Sequence, residues 1–195
     1  MPRLVPDVLP PGTMSRRPQP TLGAKGLVLR PWKLGDAPGL AAAYADPGIQ
    51  HWHHRSMTED EARQWIHGAR ERWRDETDAD FAVEEAGRLV GRVALRMIVL
   101  AVGQCELSYW TLPGARGSGV ATRAARGLSS WALQDLGLCR IEVRHSIENP
   151  GSCRVAEAAG YVHEATLARQ HLHADGWHDV HVHTRFADPT PPPSA

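Results

Sequence analysis

Between Gln104 and Leu136 the hydrophobic period changes from two to 3.6 across a short glycine-rich bridge. No other stretch of this 195-residue chain constrains its fold as tightly. Gln104 to Thr111 alternates as a strand and stops at Pro113-Gly114; Val120 to Leu136 reads as a helix closed by Gly137. The bridge is Arg116-Gly117-Ser118-Gly119. Glycines there let backbone N–H groups approach a ligand, and the helix start adds the positive end of its dipole. Arg116 adds a fork-shaped cation. The ligand class this suits is a phosphate or pyrophosphate. A plain strand-to-helix turn that needs glycine for positive φ accounts for the same two glycines equally well.

Two nucleotide readings of the loop fail on residues and on order. A P-loop needs Gly-Lys-Ser/Thr, and no Lys lies beyond Lys33. A dinucleotide fingerprint needs Gly or Ala where this chain has Thr122, and it opens a βαβ unit, whereas several strands precede this loop.

Those earlier segments start with Leu27-Val28-Leu29-Arg30, a short strand, and a helical segment from Asp36 to about Tyr44. Thr58 and Glu61 form a capping box, followed by Ala62, Trp65, Ile66, Ala69 and Trp73 at helical spacing. Phe81 to Glu84 and Leu89 to Val99 are strands around an Ala86-Gly87 turn. After the central helix, Cys139 to Ser146 alternates as a strand, and Asn149-Pro150 starts a helix closed by Gly160. Tyr161 to His173 and Trp177 to Phe186 form a hairpin around Ala174-Asp175-Gly176. The expected order is strand, two helices, three meandering strands, helix, strand, helix, hairpin: an α+β layer.

The ends differ in composition. Six of the 15 prolines fall in the first twenty residues and four more follow Asp188. The sequence therefore predicts a mobile tail over 1–25, one folded domain over 26–187, and a second mobile tail over 188–195. Lys+Arg and Asp+Glu both number 22, so a nucleic-acid-coating protein is disfavoured. No apolar run is long enough for a membrane span, and no apolar signal core is expected at the N-terminus. Three scattered cysteines suit a reducing cytoplasm better than a disulfide scaffold.

Arg-x-x-Gly-x-Ala at Arg116–Ala121 resembles the acyl-CoA pyrophosphate loop of the GNAT acetyltransferases. Glu106-Leu107-Ser108-Tyr109-Trp110 resembles the strand before that loop in the RimJ/RimL branch. Asn149-Pro150-Gly151-Ser152, then Ala156-Glu157-Ala158-Ala159-Gly160-Tyr161, resembles that branch's Asn-x-x-Ser helix. Leu29-Arg30-Pro31, Asp46-Pro47, the Thr58 helix and Asp175-Gly176-Trp177-His178-Asp179 fall in matching order. The resemblance covers about Leu27 to Phe186. It implies a mixed, mostly antiparallel twisted sheet of about seven strands with helices on both faces.

The resemblance also implies roles. Gly117, Ser118, Gly119, Val120, Ala121 and Thr122 would hold the pyrophosphate of acetyl-CoA, with Arg116 beside them. Leu107, Ser108 and Tyr109 would offer backbone N–H groups to the acetyl oxygen between splayed strands. Asn149 would contact the pantetheine arm, and Ser152 would protonate the CoA sulfur; no Tyr follows in that helix, so Ser152 is the expected hydroxyl. Glu106 is the first candidate general base, and its competing reading is a solvent-facing strand carboxylate. His53 and His54 are rival bases in the segment where the family places acceptor contacts, a segment that otherwise reads as a surface loop, and Trp52 is a candidate for the acceptor wall. Arg123 and Arg126 are candidates for outer phosphates or simply a solvated helix face.

His171 with His173, and His181 with His183, could meet across the hairpin in a metal site, although a polar sheet face or acceptor wall is the more economical reading. Cys105, Cys139 and Cys153 read as small packing residues. Trp65 and Trp73 read as core. The expected function is acetyl transfer from acetyl-CoA to an amine without a metal, foremost a protein or peptide N-terminal α-amine, by a monomer or homodimer. The alternatives are acetylation of a small-molecule amine such as a polyamine or antibiotic, and a non-catalytic acyl-CoA-binding module. An acidic pocket around Asp46, Glu59, Asp60 or Glu61 would favour a small cation; an open groove would favour a peptide end.

Overall fold

The computed structural model describes residues 4–188. Eight strands form one sheet, and the strand order is β1-β2-β3-β4-β5-β6-β8-β7. They are β1 (Leu22–Ala24), β2 (Leu27–Pro31), β3 (Ala79–Glu85), β4 (Arg88–Val99), β5 (Gln104–Thr111), β6 (Arg140–Ser146), β7 (Val162–His173) and β8 (Gly176–Phe186). The helices are α1 (Ala37–Ala45), α2 (Pro47–His53), α3 (Glu59–Arg74), α4 (Val120–Trp131) and α5 (Pro150–Ala158). All neighbouring strands are antiparallel except β5 and β6. A parallel pair needs a crossover of a dozen or more residues, and α4 supplies it.

Two apolar cores lie on the two faces of the sheet. Leu29, Phe81, Leu95 and Leu107 pack under Leu128 of α4 and Ala156 of α5 on one face. Trp32, Leu40, Ile49, Ile66 and Trp110 pack with α1–α3 on the other. The capping box that starts α3 is formed: Thr58 Oγ1 accepts from the Glu61 N–H and Glu61 returns to the Thr58 N–H. At α5, Asn149 Oδ1 accepts from the Ser152 N–H at 3.0 Å with Pro150 in the first turn.

Four expectations change. The sheet has one more strand than expected, because Leu22–Ala24 pairs with β2. The segment around Trp52 and His53 is not a loop but α2, capped by Asp46, which accepts from the Ile49 N–H. The helix expected to Leu136 is α-helical to Trp131 and then widens into a π turn over Ala132–Leu136.

The fourth change concerns the proline-rich N-terminus, which is no free tail over its described part. Val8 and Leu9 N–H groups donate to the carbonyls of Ala101 and Leu100, both at 3.1 Å. The Glu76 carboxylate accepts from the N–H groups of Gly12, Met14 and Ser15. Met14 is 1% exposed, and Trp73 Nε1 donates to the Arg17 carbonyl. Prolines cannot donate, but the residues between them do, and those donors find acceptors on the domain. Of the expected C-terminal tail, 189–195 lies outside the described residues. Among the described residues, no helix is long and apolar enough to cross a membrane.

Candidate active site

The pairing of β5 with β6 covers only three registered positions, Gln104↔Arg140, Cys105↔Ile141 and Glu106↔Glu142. Past Glu106, β5 continues to Thr111 against β4 alone, while β6 continues to Ser146 against β8 alone. The two strands part there, and a cleft of about 870 Å³ opens along the wedge. One side of Leu107, Ser108 and Tyr109 faces this opening instead of a ladder partner.

Strand alternation divides β5 between the two sides of the sheet. Leu107 and Tyr109 join the core beneath α4 and α5, and Trp110 joins the core of α1–α3. Glu106 and Ser108 share the face of Trp110. Glu106 therefore stands across the strand from the helix that carries Ser152.

The cleft brings together Trp52, His53, Glu106, Leu107, Ser108, Tyr109, Arg116, Gly117, Gly119, Val120, Ala121, Thr122, Asn149 and Ser152. Fourteen of the eighteen residues given donor, catalytic or acceptor roles from the sequence therefore line one cavity. Ser118, His54, Arg123 and Arg126 do not. Ser118 turns its hydroxyl back to donate to the Ala115 carbonyl at 2.9 Å. His54 ends α2 in the left-handed region and packs its ring on His173 at 4.3 Å.

The glycine loop is open toward the cleft. Gly117 and Gly119 have φ of +79° and +76°, and a Cβ at either would meet no atom within 4 Å. Positive φ at both is why glycine stands there. No side chain caps the start of α4, so its first-turn N–H groups keep their free valences. Arg116 pairs with Asp46 at 2.5 Å and donates to the Thr111 carbonyl, which ties the loop to α2. Arg123 and Arg126 do not reach the cleft. Arg123 bonds Glu85 and the Lys25 carbonyl, and Arg126 bonds the Ala158 carbonyl.

Burial raises the Glu106 carboxyl above its ordinary range, with Glu142 adding to the effect and Arg144 and Arg96 opposing it. Burial, then the nearby Arg92 charge, lowers His53 to about 4, so its imidazole is neutral at physiological pH. Arg92 is itself held by the buried Asp80 and reaches the Ser108 hydroxyl at 3.4 Å.

A second hydroxyl reaches Ser152 from β5 rather than from α5. Tyr109 Oη lies 2.8 Å from Ser152 Oγ and donates to the Ser152 carbonyl at 3.1 Å. Burial pushes the Tyr109 phenol up to about 12, so it stays protonated. Ser152 is therefore one of a hydroxyl pair. The wall also includes Arg96, Arg144, His171 and His173. Alternation from Glu106 through its register partner Arg96 was the available signal for the first of these.

A family model described as "Acetyltransferase (GNAT) domain" matches residues 26–162. The chain belongs to the GNAT acetyltransferase family. It is 32% identical over 124 residues to the Bacillus subtilis (strain 168) protein named "Probable N-acetyltransferase YjcK", covering 62% of this chain and 68% of that one. It is 25% identical over 108 residues to the ribosomal-protein-serine acetyltransferase of Escherichia coli (strain K12), covering 55% and 60%. The fold superposes with TM-score 0.80 on the RimL ribosomal L7/L12 alpha-N-protein acetyltransferase solved with coenzyme A. That match is 16% identical and covers 87% of this chain and 99% of that one. These relatives agree with a RimJ/RimL-like placement for this acetyltransferase.

Proposed function

We propose that this acetyltransferase moves the acetyl group of acetyl-CoA to the N-terminal α-amine of a protein or peptide. The observation that carries the reading is the charge of the cleft wall. Its lining holds one carboxylate, Glu106, among the guanidinium groups of Arg96, Arg116, Arg144 and Arg154. The carboxylates that could have gathered a small polycation are absent from that lining. Asp46 is bound by Arg116 and caps α2, Glu61 caps α3, and Glu59 pairs with Arg63. A polyamine entering the cleft would meet net positive charge, whereas one carboxylate suffices for one α-amine. Two of the named relatives are ribosomal-protein acetyltransferases by name, one of them an alpha-N-protein acetyltransferase, which supports the same reading.

The residues present fit the donor. The open loop at Gly117 and Gly119 and the uncapped start of α4 suit a pyrophosphate, and the wedge between β5 and β6 suits a narrow arm. When bound, acetyl-CoA supplies an activated thioester. Glu106 takes the proton from the attacking amine, directly or through one water. Its raised pKa makes it a better proton acceptor than an exposed carboxylate. Those main-chain N–H groups within Leu107–Tyr109 that point away from β4 meet charge developing on the carbonyl oxygen. Ser152, hydrogen-bonded to Tyr109, gives its proton to the departing sulfur and regains one from solvent, the phenol turning from the Ser152 carbonyl to relay it and ending protonated.

A thiol-release assay tests this with peptides bearing free or formylated α-amines, spermidine and an aminoglycoside. We expect kcat/KM for the free-α-amine peptides to exceed that for spermidine by at least about tenfold, roughly the 1.4 kcal/mol of one charge contact. Preference for spermidine overturns the acceptor class. Failure to release thiol from any amine, alongside a melting rise of roughly 5–10 °C with saturating acetyl-CoA, would favour the non-catalytic module.

A further inference from the structure

The sequence offered four hairpin imidazoles as one group, and the structure divides them. His171 pairs with His178 and lies on the face of Val180 and Val182, whereas His181 and His183 lie on the opposite face. There they meet residues from two other elements. His145 on β6 is the register partner of His181, and Val143 of His183, so all three imidazoles share one sheet face. Cys153 on α5 comes down on that face, its sulfur 3.8 Å from His183 Nε2. One ligand atom from each of His145, Cys153, His181 and His183 lies within 4.8 Å of every other. Cys153 is thus not the small packing residue expected from the sequence.

Three further features belong to this cluster. His145 Nε2, His181 Nδ1 and His183 Nδ1 are buried nitrogens without a hydrogen-bond partner. His145 is 6% exposed and His183 is 0% exposed, so water does not readily satisfy them. His145 Nδ1 lies 2.8 Å from the Ser146 carbonyl, which holds the N–H on that nitrogen and turns the Nε2 lone pair inward. Ring nitrogens that bind metals are commonly oriented by such a backbone carbonyl on the opposite nitrogen.

We propose that His145, Cys153, His181 and His183 bind one zinc ion, tying α5 to the sheet. Three imidazoles and one thiolate suit a borderline d-block cation and exclude magnesium or calcium, which take oxygen ligands. Tetrahedral zinc with bonds of about 2.0–2.3 Å sets its ligand atoms roughly 3.3–3.7 Å apart, so the side chains close inward by about an ångström. As the Zn–S bond forms, the Cys153 thiol releases its proton to solvent. The ion takes no part in acetyl transfer. It fixes the first turn of α5, where Ser152 precedes Cys153, and the site stands whether or not the acceptor reading holds.

The test is a cobalt titration of the untagged, chelator-stripped full chain, with zinc as competitor. The expected result is one equivalent bound, with tetrahedral d–d bands and a thiolate-to-cobalt charge-transfer band that zinc removes. Cys153→Ala abolishes the charge-transfer band. His181→Ala weakens binding by more than the about tenfold to hundredfold that losing a supporting hydrogen bond costs. His178→Ala, in the separate Glu148–Asp175–His178 group, leaves the spectrum unchanged. In the wild-type protein, zinc shields Cys153 but not the exposed Cys139 from alkylation, read by peptide mass, so the test survives a variant that fails to fold. Octahedral spectra, a band that persists in Cys153→Ala, loss of binding in His178→Ala, or unshielded Cys153 each overturns the proposal.

Discussion

The wall of the cleft beneath α4 and α5 is built mostly of main chain. Its parts are two glycines at positive φ, the uncapped start of α4 and the open flank of β5. The facing wall is built of side chains from distant segments: Trp52 and His53 on α2, Glu106 on β5, His171 and His173 on β7. Such a contrast suits a ligand that is always the same on one side and a partner that is particular to this chain on the other. A main-chain site depends on backbone geometry and tolerates many side chains. A side-chain wall changes with single substitutions. The two walls should therefore fail differently when altered, and in different kinetic parameters.

The largest effect is expected at the boundary between the walls. Glu106→Gln keeps the shape and removes the base, so kcat should fall about 100- to 10,000-fold with little change in acetyl-CoA affinity. The sign with pH follows from protonation. Glu106 is active only when ionised, and burial raises its pKa, so kcat/KM should climb through a limb above the ordinary carboxylate value of about 4.3. The acceptor amine adds its own limb near about 8. Glu106→Gln should erase the lower limb, while His53→Gln should keep it, because His53 is neutral above about 4. An acid limb that survives Glu106→Gln and vanishes with His53→Gln would exchange their roles.

A smaller effect is expected from the hydroxyl pair on the donor wall. Ser152 and Tyr109 are 2.8 Å apart, so each can supply a proton when the other is gone. Ser152→Ala and Tyr109→Phe should each lower kcat by less than the about 100-fold at which a sole general acid begins to count. The double variant should fall further than the product of the two single losses. Strictly multiplicative losses in steady-state kcat would mean that the two hydroxyls act independently.

The same contrast explains what could be read in advance. The donor wall leaves local motifs, because a positive-φ glycine, a helix start and an N-cap are neighbours in sequence; Gly117, Gly119 and Asn149 were visible for that reason. The succession of strands and helices from Phe81 onward, the capping box at Thr58 and the α5 start were visible on the same grounds, since cap and period are local. The Tyr109–Ser152 contact spans 43 positions and depends on how far α5 sits above β5, which no local pattern encodes. The separation of the histidines turned on the hairpin turn: two residues rather than three lie between the strands, so His173 pairs with Gly176 and His171 with His178, and odd positions of β7 share a face with even positions of β8. The N-terminal segment misled because proline content describes backbone stiffness, and the acceptor that holds it is Glu76, about sixty residues away.

The smallest effect separates backbone strain from ligand loss. Gly119→Ala adds a Cβ into open space, so its cost is conformational, about 1–2 kcal/mol for an L-residue in the left-handed region. If the loop relaxes to relieve that strain, its N–H groups turn from the pyrophosphate. Acetyl-CoA binding should then weaken by about 5- to 30-fold, with the acceptor KM unchanged. Gly87 provides the control: it has φ of +77° and equally open space, but sits in the β3–β4 turn and does not line the cleft. Gly87→Ala should lower the melting temperature by a similar strain yet leave acetyl-CoA affinity alone. Trp52→Ala supplies the converse, raising the acceptor KM while acetyl-CoA binding by calorimetry stays within about twofold. Equal loss of donor affinity in Gly119→Ala and Gly87→Ala would mean that general destabilisation, rather than the geometry of one wall, governs donor binding.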